Sequence, residues 1–431
     1  MRRAMSILLL TASSTAPLPA AGAWDFYGGA GLNVGRAGDP GFAGTRQANP
    51  AYDPNSTVCS NPADPNYDAI CRKTIAIPSS ERRSSYTGSA RVTGGLKGDW
   101  GDTQFDITYS PMASLYFDRA ELNQVGHNLA STWRHDYSPR ASVNFNALFN
   151  YTPEQDVDPA NLQQNSLLVN RTSRTYGTFR GSYGFQSGPR TTFDWSYRYA
   201  LRAFSSDTFV DSSAHSLGLN WRRRLGPRGF VQSGYEYGLT LYGDGPSVDP
   251  NTGISPRFTD AKHHRASAGW GLQSARGFTL NINAGYNIVV PVRTELESFS
   301  GLYTDTSLGW SGTRFSTVGG YVRALTDGGG AFSNAQSEVI HATARAAFTK
   351  SFSGDLAVSR NAHTRLAQGT AGGEETVRSL NGRASLNYSF ARDWAVNVGW
   401  THYRQGGGSA GGTAPDVRAS RYSAGISWSV R

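Results

Sequence analysis

From Thr191 to Ala203 the chain alternates without a break. One parity holds Thr191, Phe193, Trp195, Tyr197, Tyr199, Leu201 and Ala203, and the other holds Thr192, Asp194, Ser196, Arg198, Ala200 and Arg202. A period of two marks a β-strand with one apolar and one polar face. The pattern returns along the chain. In 174–185 one parity reads Thr175, Gly177, Phe179, Gly181, Tyr183 and Phe185; in 278–288 it reads Phe278, Leu280, Ile282, Ala284, Tyr286 and Ile288. Near the C-terminus it reads Trp394, Val396, Val398 and Trp400, then Tyr422, Ala424, Ile426, Trp428 and Val430. Rings gather toward strand ends and small or aliphatic residues toward the middle, as on a sheet facing hydrocarbon between aromatic girdles. Two stretches are noisier: 315–325 has no cleanly apolar parity, and the parity of 355–365 turns Arg360 outward.

The connections fall into two kinds. Short ones read "LKGDWGD", "YSPR", "QSGPR", "LGPRG", "SARG", "SGTR", "SFSGD" and "FARD", each with the Gly, Pro, Asp or Ser that tight turns use. Long ones cover 36–83, 117–126, 152–170, 205–213, 243–263, 292–302, 327–337, 367–375 and 405–417. Eight short turns and nine long loops imply about eighteen strands, even in number, with both ends on the short-turn side. A soluble solenoid or sandwich of repeated hairpins shares the alternation but not the one-sided loop lengths. A sheet that spans a membrane must close, because an open edge in hydrocarbon leaves backbone groups unpaired. The expected fold is therefore all-β: a transmembrane antiparallel β-barrel of about 18 strands, with short periplasmic turns and long extracellular loops, filling 24–431 as one domain.

Composition agrees once the pattern is known. Mean hydropathy is −0.45 and no apolar run after the N-terminus reaches the length of a membrane helix, yet glycine (50 residues) and aromatics (12%) are abundant and charged residues (17%) are few. Residues 1–23 read as a secretory signal peptide: Arg2 and Arg3, an apolar run Met5 to Leu10, and a small-x-small site at Ala21-Gly22-Ala23, leaving Trp24 as the first mature residue. Cys59 and Cys71 fall in the longest loop, 36–83, and in an exported protein are expected to form a loop-closing disulfide. That loop either folds into the mouth of the barrel or forms an exposed recognition surface.

The same parity gives the inner face: Arg91, Arg134, Arg174, Arg180, Arg198, Arg202, Arg222, Arg224, Arg265, Arg345, Arg365, Arg383 and Arg421, against Asp25, Asp106, Asp136, Asp194 and Glu236. Eighteen strands enclose more space than side chains fill, so a wet channel is expected. Arginines lining it would concentrate anions and hold carboxylate or phosphate with their forked donors. The competing reading is that they pair with the acids and brace the wall. No nucleophile motif, P-loop, zinc or calcium signature stands in the chain, so no catalytic residue, metal or cofactor is expected. The histidine pair of "DAKHHR" (260–265) is a solvated loop pair on this reading. The net charge of +9 is accounted for by the lumen, so no nucleic acid is implied.

In strand number, turn chemistry and arginine-rich inner face, the chain resembles the roughly eighteen-stranded outer-membrane barrels of exopolysaccharide export, the β-barrel porin 2 type, over 24–431. The resemblance rests on no short diagnostic motif. It implies an outer-membrane channel of a Gram-negative bacterium that exports an acidic exopolysaccharide. It also implies outer-membrane lipid as surroundings and a separate periplasmic conduit as partner. A general diffusion porin with anion preference, passing small anionic solutes, is the alternative; a plugged adhesin or scaffold is a third.

Overall fold

The structure, a computed structural model, describes residues 23–38, 46–48, 74–76, 85–118, 123–152, 174–205, 210–243, 260–292, 298–326, 335–365, 376–406 and 417–430. Every long alternating stretch of sequence is a strand. The first half comprises β1 (Ala23–Gly38), β2 (Arg46–Ala48), β3 (Thr74–Ala76), β4 (Ser85–Trp100), β5 (Thr103–Tyr116), β6 (Gln124–Ser138), β7 (Ala141–Thr152), β8 (Arg174–Gly188), β9 (Thr191–Phe204) and β10 (Ser212–Arg224). The second comprises β11 (Gly229–Tyr242), β12 (Ala261–Gln273), β13 (Phe278–Pro291), β14 (Phe299–Ser311), β15 (Phe315–Thr326), β16 (Ala335–Ala347), β17 (Phe352–Arg365), β18 (Thr376–Ser389), β19 (Trp394–Gly406) and β20 (Val417–Val430). β2 and β3 pair only with each other, inside the first connection. The remaining strands form one 18-stranded antiparallel sheet that closes through β1, which pairs with β4 on one side and β20 on the other.

Register carries one facing pattern all the way round. Leu32 opposes Ile426, Ile426 opposes Val396, and Val396 opposes Tyr388, so the apolar parity of each strand lies beside that of its neighbour. That parity is the outer surface: Trp195 is 61% and Leu32 61% exposed, in a belt of large apolar side chains running round the barrel. A water-facing surface of this kind is not stable in a monomer; against hydrocarbon it is the required one. Rings border the belt on both sides. Toward the short turns lie Trp24 against Trp100 (4.7 Å), Trp133 against Phe145 (5.2 Å) and Trp310 against Phe315 (5.7 Å). Toward the loops, tyrosine hydroxyls meet histidine Nδ1 across neighbouring strands: Tyr109–His127 at 2.7 Å, and Tyr197–His215 and Tyr235–His264 at 2.8 Å.

Tight turns fall on one rim, and two of them require glycine. Gly101 and Gly277 have φ of 70° and 80°, which a side chain would strain. Three expectations shift. β1 runs on to Gly38 and takes 36–38 out of the first loop. "SFSGD" is not a turn: the chain turns earlier, where Thr349 Oγ1 accepts the N–H of Ser351 (3.2 Å) and of Phe352 (3.0 Å), so β17 starts at Phe352. The noise of 315–325 has a cause as well: register puts Thr317, Gly319 and Tyr321 outward, and Val318 and Val322 inward, on β15. The expected signal peptide, up to residue 22, and the Cys59–Cys71 disulfide lie outside the described residues.

Neighbouring positions on one strand thus meet different solvents. Val398→Arg, on the outer face of β19, should destabilise the barrel by about 2–4 kcal/mol, and inward Asn397→Arg by less than about 1 kcal/mol. Reversible folding into bilayers under urea reads both; equal penalties would contradict the assignment of faces.

Candidate functional site

The inner wall is built by the polar parity. Register places Arg91, Arg134, Arg174, Arg180, Arg198, Arg202, Arg222, Arg224, Arg265, Arg345, Arg383 and Arg421 opposite the apolar belt. Arg365 pairs with Ala335 in the same register, and its side chain lies outside the described residues. The five expected acids share this face, and register adds Lys97, Asp99, Asp305 and Asp355. Lys97 and Asp99 have the parity of Arg91 on β4, which is the signal that would have found them. The basic excess on the wall is therefore smaller than two to one.

The arginines differ in what they touch. Arg345 meets Asp355 across β16 and β17 (3.4 Å), and Arg134 meets Asp136 on its own strand (2.9 Å). Arg265 is ion-paired to Glu236 across β11 and β12, with its guanidinium 4.7 Å from the Tyr303 ring centroid. Half-exposed pairs like these contribute about 0–1 kcal/mol each, so they brace the wall modestly. Arg174 and Arg202 share the ring of Tyr176, at 5.7 and 5.9 Å. Arg91 donates to the Met112 sulfur (3.5 Å). Arg222 donates to Gln232 (3.1 Å) and lies 4.5 Å over Phe230, while Gln232 donates on to Asn281 (3.5 Å).

Arg180 and Arg198 stand apart from these. They oppose each other directly on β8 and β9, both exposed, and among the described residues neither has an ion pair or a hydrogen bond. Like charges facing each other on a sheet repel, and only water or an anion relieves them. Beside them the wall is hollowed into a recess of about 330 Å³, lined by Arg180, Asp194, Asn220, Arg222, Gln232 and Asn283, with Ser182, Ser196 and Ser267 between. Glycine makes the hollow: Gly234 carries no side chain, so the Asn220 amide lies over it, and Gly184 does the same for Asp194. Guanidinium, amide and hydroxyl groups together suit a ligand that is anionic and rich in hydroxyls.

Burial divides the lumen along its axis. Arg134 and Arg345, near the short turns, keep 53% and 72% of their side-chain surface exposed. Toward the loops many inward residues are almost completely buried, among them Ser85, Thr240, Asn287, Ser359, Asn361, Asn381 and Gln405. There Asn361 donates to Ser379 (3.2 Å) and Asn381 to Ser359 (3.3 Å), a reciprocal polar lattice across β17 and β18. The inner wall is thus more exposed toward the turns and more buried toward the loops, while arginines stand in both halves, Arg174 and Arg202 at the loop end.

The "DAKHHR" pair is not a loop pair. β12 begins at Ala261, so His263 turns inward to Thr240 (3.0 Å) and His264 outward to Tyr235 (2.8 Å). Adjacent strand residues point to opposite faces and cannot share a ligand. Among the described residues no three His, Cys, Asp or Glu side chains converge on a metal position.

Solved structures with a similar chain path are outer-membrane barrels. The siderophore receptor PirA from Pseudomonas aeruginosa is 10% identical, with 96% of this chain and 81% of that one aligned and a TM-score of 0.44. Pseudomonas aeruginosa OpdQ is 8% identical over 94% of this chain and 97% of that one, with a TM-score of 0.44. Acinetobacter baumannii OccAB4 is 10% identical over 94% and 97%, with a TM-score of 0.43. Likeness at this level carries no statement about cargo. No protein-family model matches the sequence, and no curated protein does. The closed 18-stranded barrel with its apolar belt is itself the architecture of a Gram-negative outer-membrane protein.

Glu236 is the acid that neutralises Arg265. Glu236→Gln should move the reversal potential in a salt gradient toward anions. One charge about 4 Å from a passing ion in water-like surroundings is worth about 1 kcal/mol, roughly fivefold in local ion occupancy. An unchanged reversal potential would take this pair off the conduction path.

Proposed function

We propose that the barrel is an outer-membrane channel that carries an acidic exopolysaccharide out of the cell, using its arginine-bearing inner wall as a track. The observation that carries this reading is the facing pair Arg180 and Arg198 beside the recess. It is a site of unrelieved positive charge at mid-height of the lumen, flanked by amides and hydroxyls that suit sugar rings. Arg222, Arg174 and Arg202 extend it as steps at which a carboxylate-bearing chain can be held and passed on. Repeated weak sites of this kind favour conduction, since each must release what it binds. Periplasmic delivery would come from a separate conduit that meets the short-turn rim. No catalysis is assigned to the channel.

A general diffusion porin with anion preference is the second reading, favoured by the small size of the recess, which suits a single sugar or a small carboxylate. The two separate on length dependence. In single-channel recordings, an acidic oligosaccharide added on the short-turn side should cause long blockades that lengthen with chain length. A neutral homologue should pass without them. Arg180→Ser, Arg198→Ser and Arg222→Ser together should shorten the blockades about tenfold, given about 1 kcal/mol per charge partly screened by salt. Brief, length-independent events would favour the porin, and an electrically silent barrel would refute both.

A further inference from the structure

Outward-facing arginines are densest along one arc of the barrel. On β17–β20 the belt ends, toward the loops, in four exposed arginines: Arg360, Arg378, Arg404 and Arg418. Register brings them together. Arg360 opposes Leu380, Leu380 opposes Arg404, and Arg404 opposes Arg418, one row across four strands. Arg378 is two residues from Leu380 and so lies diagonal to both Arg360 and Arg404. Facing Cβ atoms are about 5 Å apart and diagonal neighbours about 7–8 Å, so each of the four arginines has another as its neighbour along the row. Among the described residues none of the four has an ion pair or hydrogen bond, and no acid shares the outer face of these strands. The nearest outward acid, Glu338, is occupied by Arg323 (3.5 Å). Glu374, Glu375 and Asp416, in the adjoining connections, lie outside the described residues.

Depth identifies what meets them. Ten positions separate Tyr388 from Arg378, Trp394 from Arg404, and Trp428 from Arg418, with aliphatic, small and ring residues dominating between. Ten residues of strand span roughly 33 Å, and a tilt of about 40° reduces that to about 25 Å, the height of the apolar band. The arginines therefore stand at the headgroup level of the leaflet on the loop side, just beyond the Trp400–Tyr422 pair and the His402–Ser420 bond (2.8 Å). On β5–β6, β9–β10 and β11–β12 the loop side of the belt carries the Tyr–His pairs.

From this we infer a lipid site: Arg360, Arg378, Arg404 and Arg418 bind the phosphate groups of outer-leaflet lipid along one arc of the barrel. Facing arginines repel each other when empty. A phosphate placed between them accepts two forked pairs of hydrogen bonds, which is the geometry arginine favours. The site is independent of what the lumen transports, because all four residues lie on the other side of the wall.

The test uses the full-length barrel in detergent, titrated separately with bis-phosphorylated lipid A, with the same lipid after removal of its phosphates, and with inorganic phosphate; bound lipid per barrel is read by native mass spectrometry. The phosphorylated lipid should bind saturably and at least about tenfold more tightly than the dephosphorylated one, with inorganic phosphate failing to compete at equal concentration. Replacing all four arginines with Gln should abolish that difference, and replacing them with Lys should retain part of it, with ion conduction unchanged in both. Equal affinity of the wild-type chain for the two lipids would overturn the proposal without recourse to any variant. So would full discrimination by the Gln variant, or displacement of the lipid by inorganic phosphate.

Discussion

A β-strand in hydrocarbon can send its backbone hydrogen bonds only to another strand. That constraint sets the rest of this protein. It forces the sheet to close, and β1 is the strand that closes it, in contact with both the first hairpin and the last strand. The seam is drawn in by glycine: at Gly29 an added Cβ would come within 2.7 Å of the Trp428 carbonyl oxygen. Once closed, the sheet separates two solvents, and each strand must satisfy both with alternate residues. The mean hydropathy of −0.45 is the average over those two faces and describes neither.

On the water side, exposure is graded along the barrel axis, while arginines are spread over both halves. The inner wall holds arginines in three states: paired to acids, stacked on rings, and unrelieved. Pairing secures neighbouring strands, as with Arg345 and Asp355 on β16 and β17, at little energetic gain. The unrelieved pair, Arg180 and Arg198, adds nothing to the stability of the wall, and only water or an anion relieves it. Toward the loops, Asn and Ser of β17 and β18 add a buried polar lattice to the wall.

Much of this was legible locally. Strand existence, facing and turn position follow from side-chain period and from Gly, Pro and Asp, all of which act over a few residues. What was missed depends on partners distant in sequence. "DAKHHR" looked like loop because its two histidines interrupt the apolar parity; in the barrel one caps Thr240 and the other meets Tyr235. Asp355 reads as part of a turn in "SFSGD" and joins the inner acids because Thr349 builds the turn earlier with its own hydroxyl. That Arg404 faces Arg418, or Arg180 faces Arg198, is a matter of register, and register is fixed by closure rather than by either strand alone.

The central claim is that one face of each strand meets lipid and the other meets water. A spin-label scan of β9 tests it most directly, with single cysteines placed in turn from Phe193 to Leu201 in a Cys59→Ser, Cys71→Ser background and the barrel in bilayers. Collision with oxygen should peak at the odd positions, and collision with a water-soluble nickel chelate at the even ones, in strict alternation. Nine positions with uniform accessibility, or the two peaks exchanged, would contradict the account.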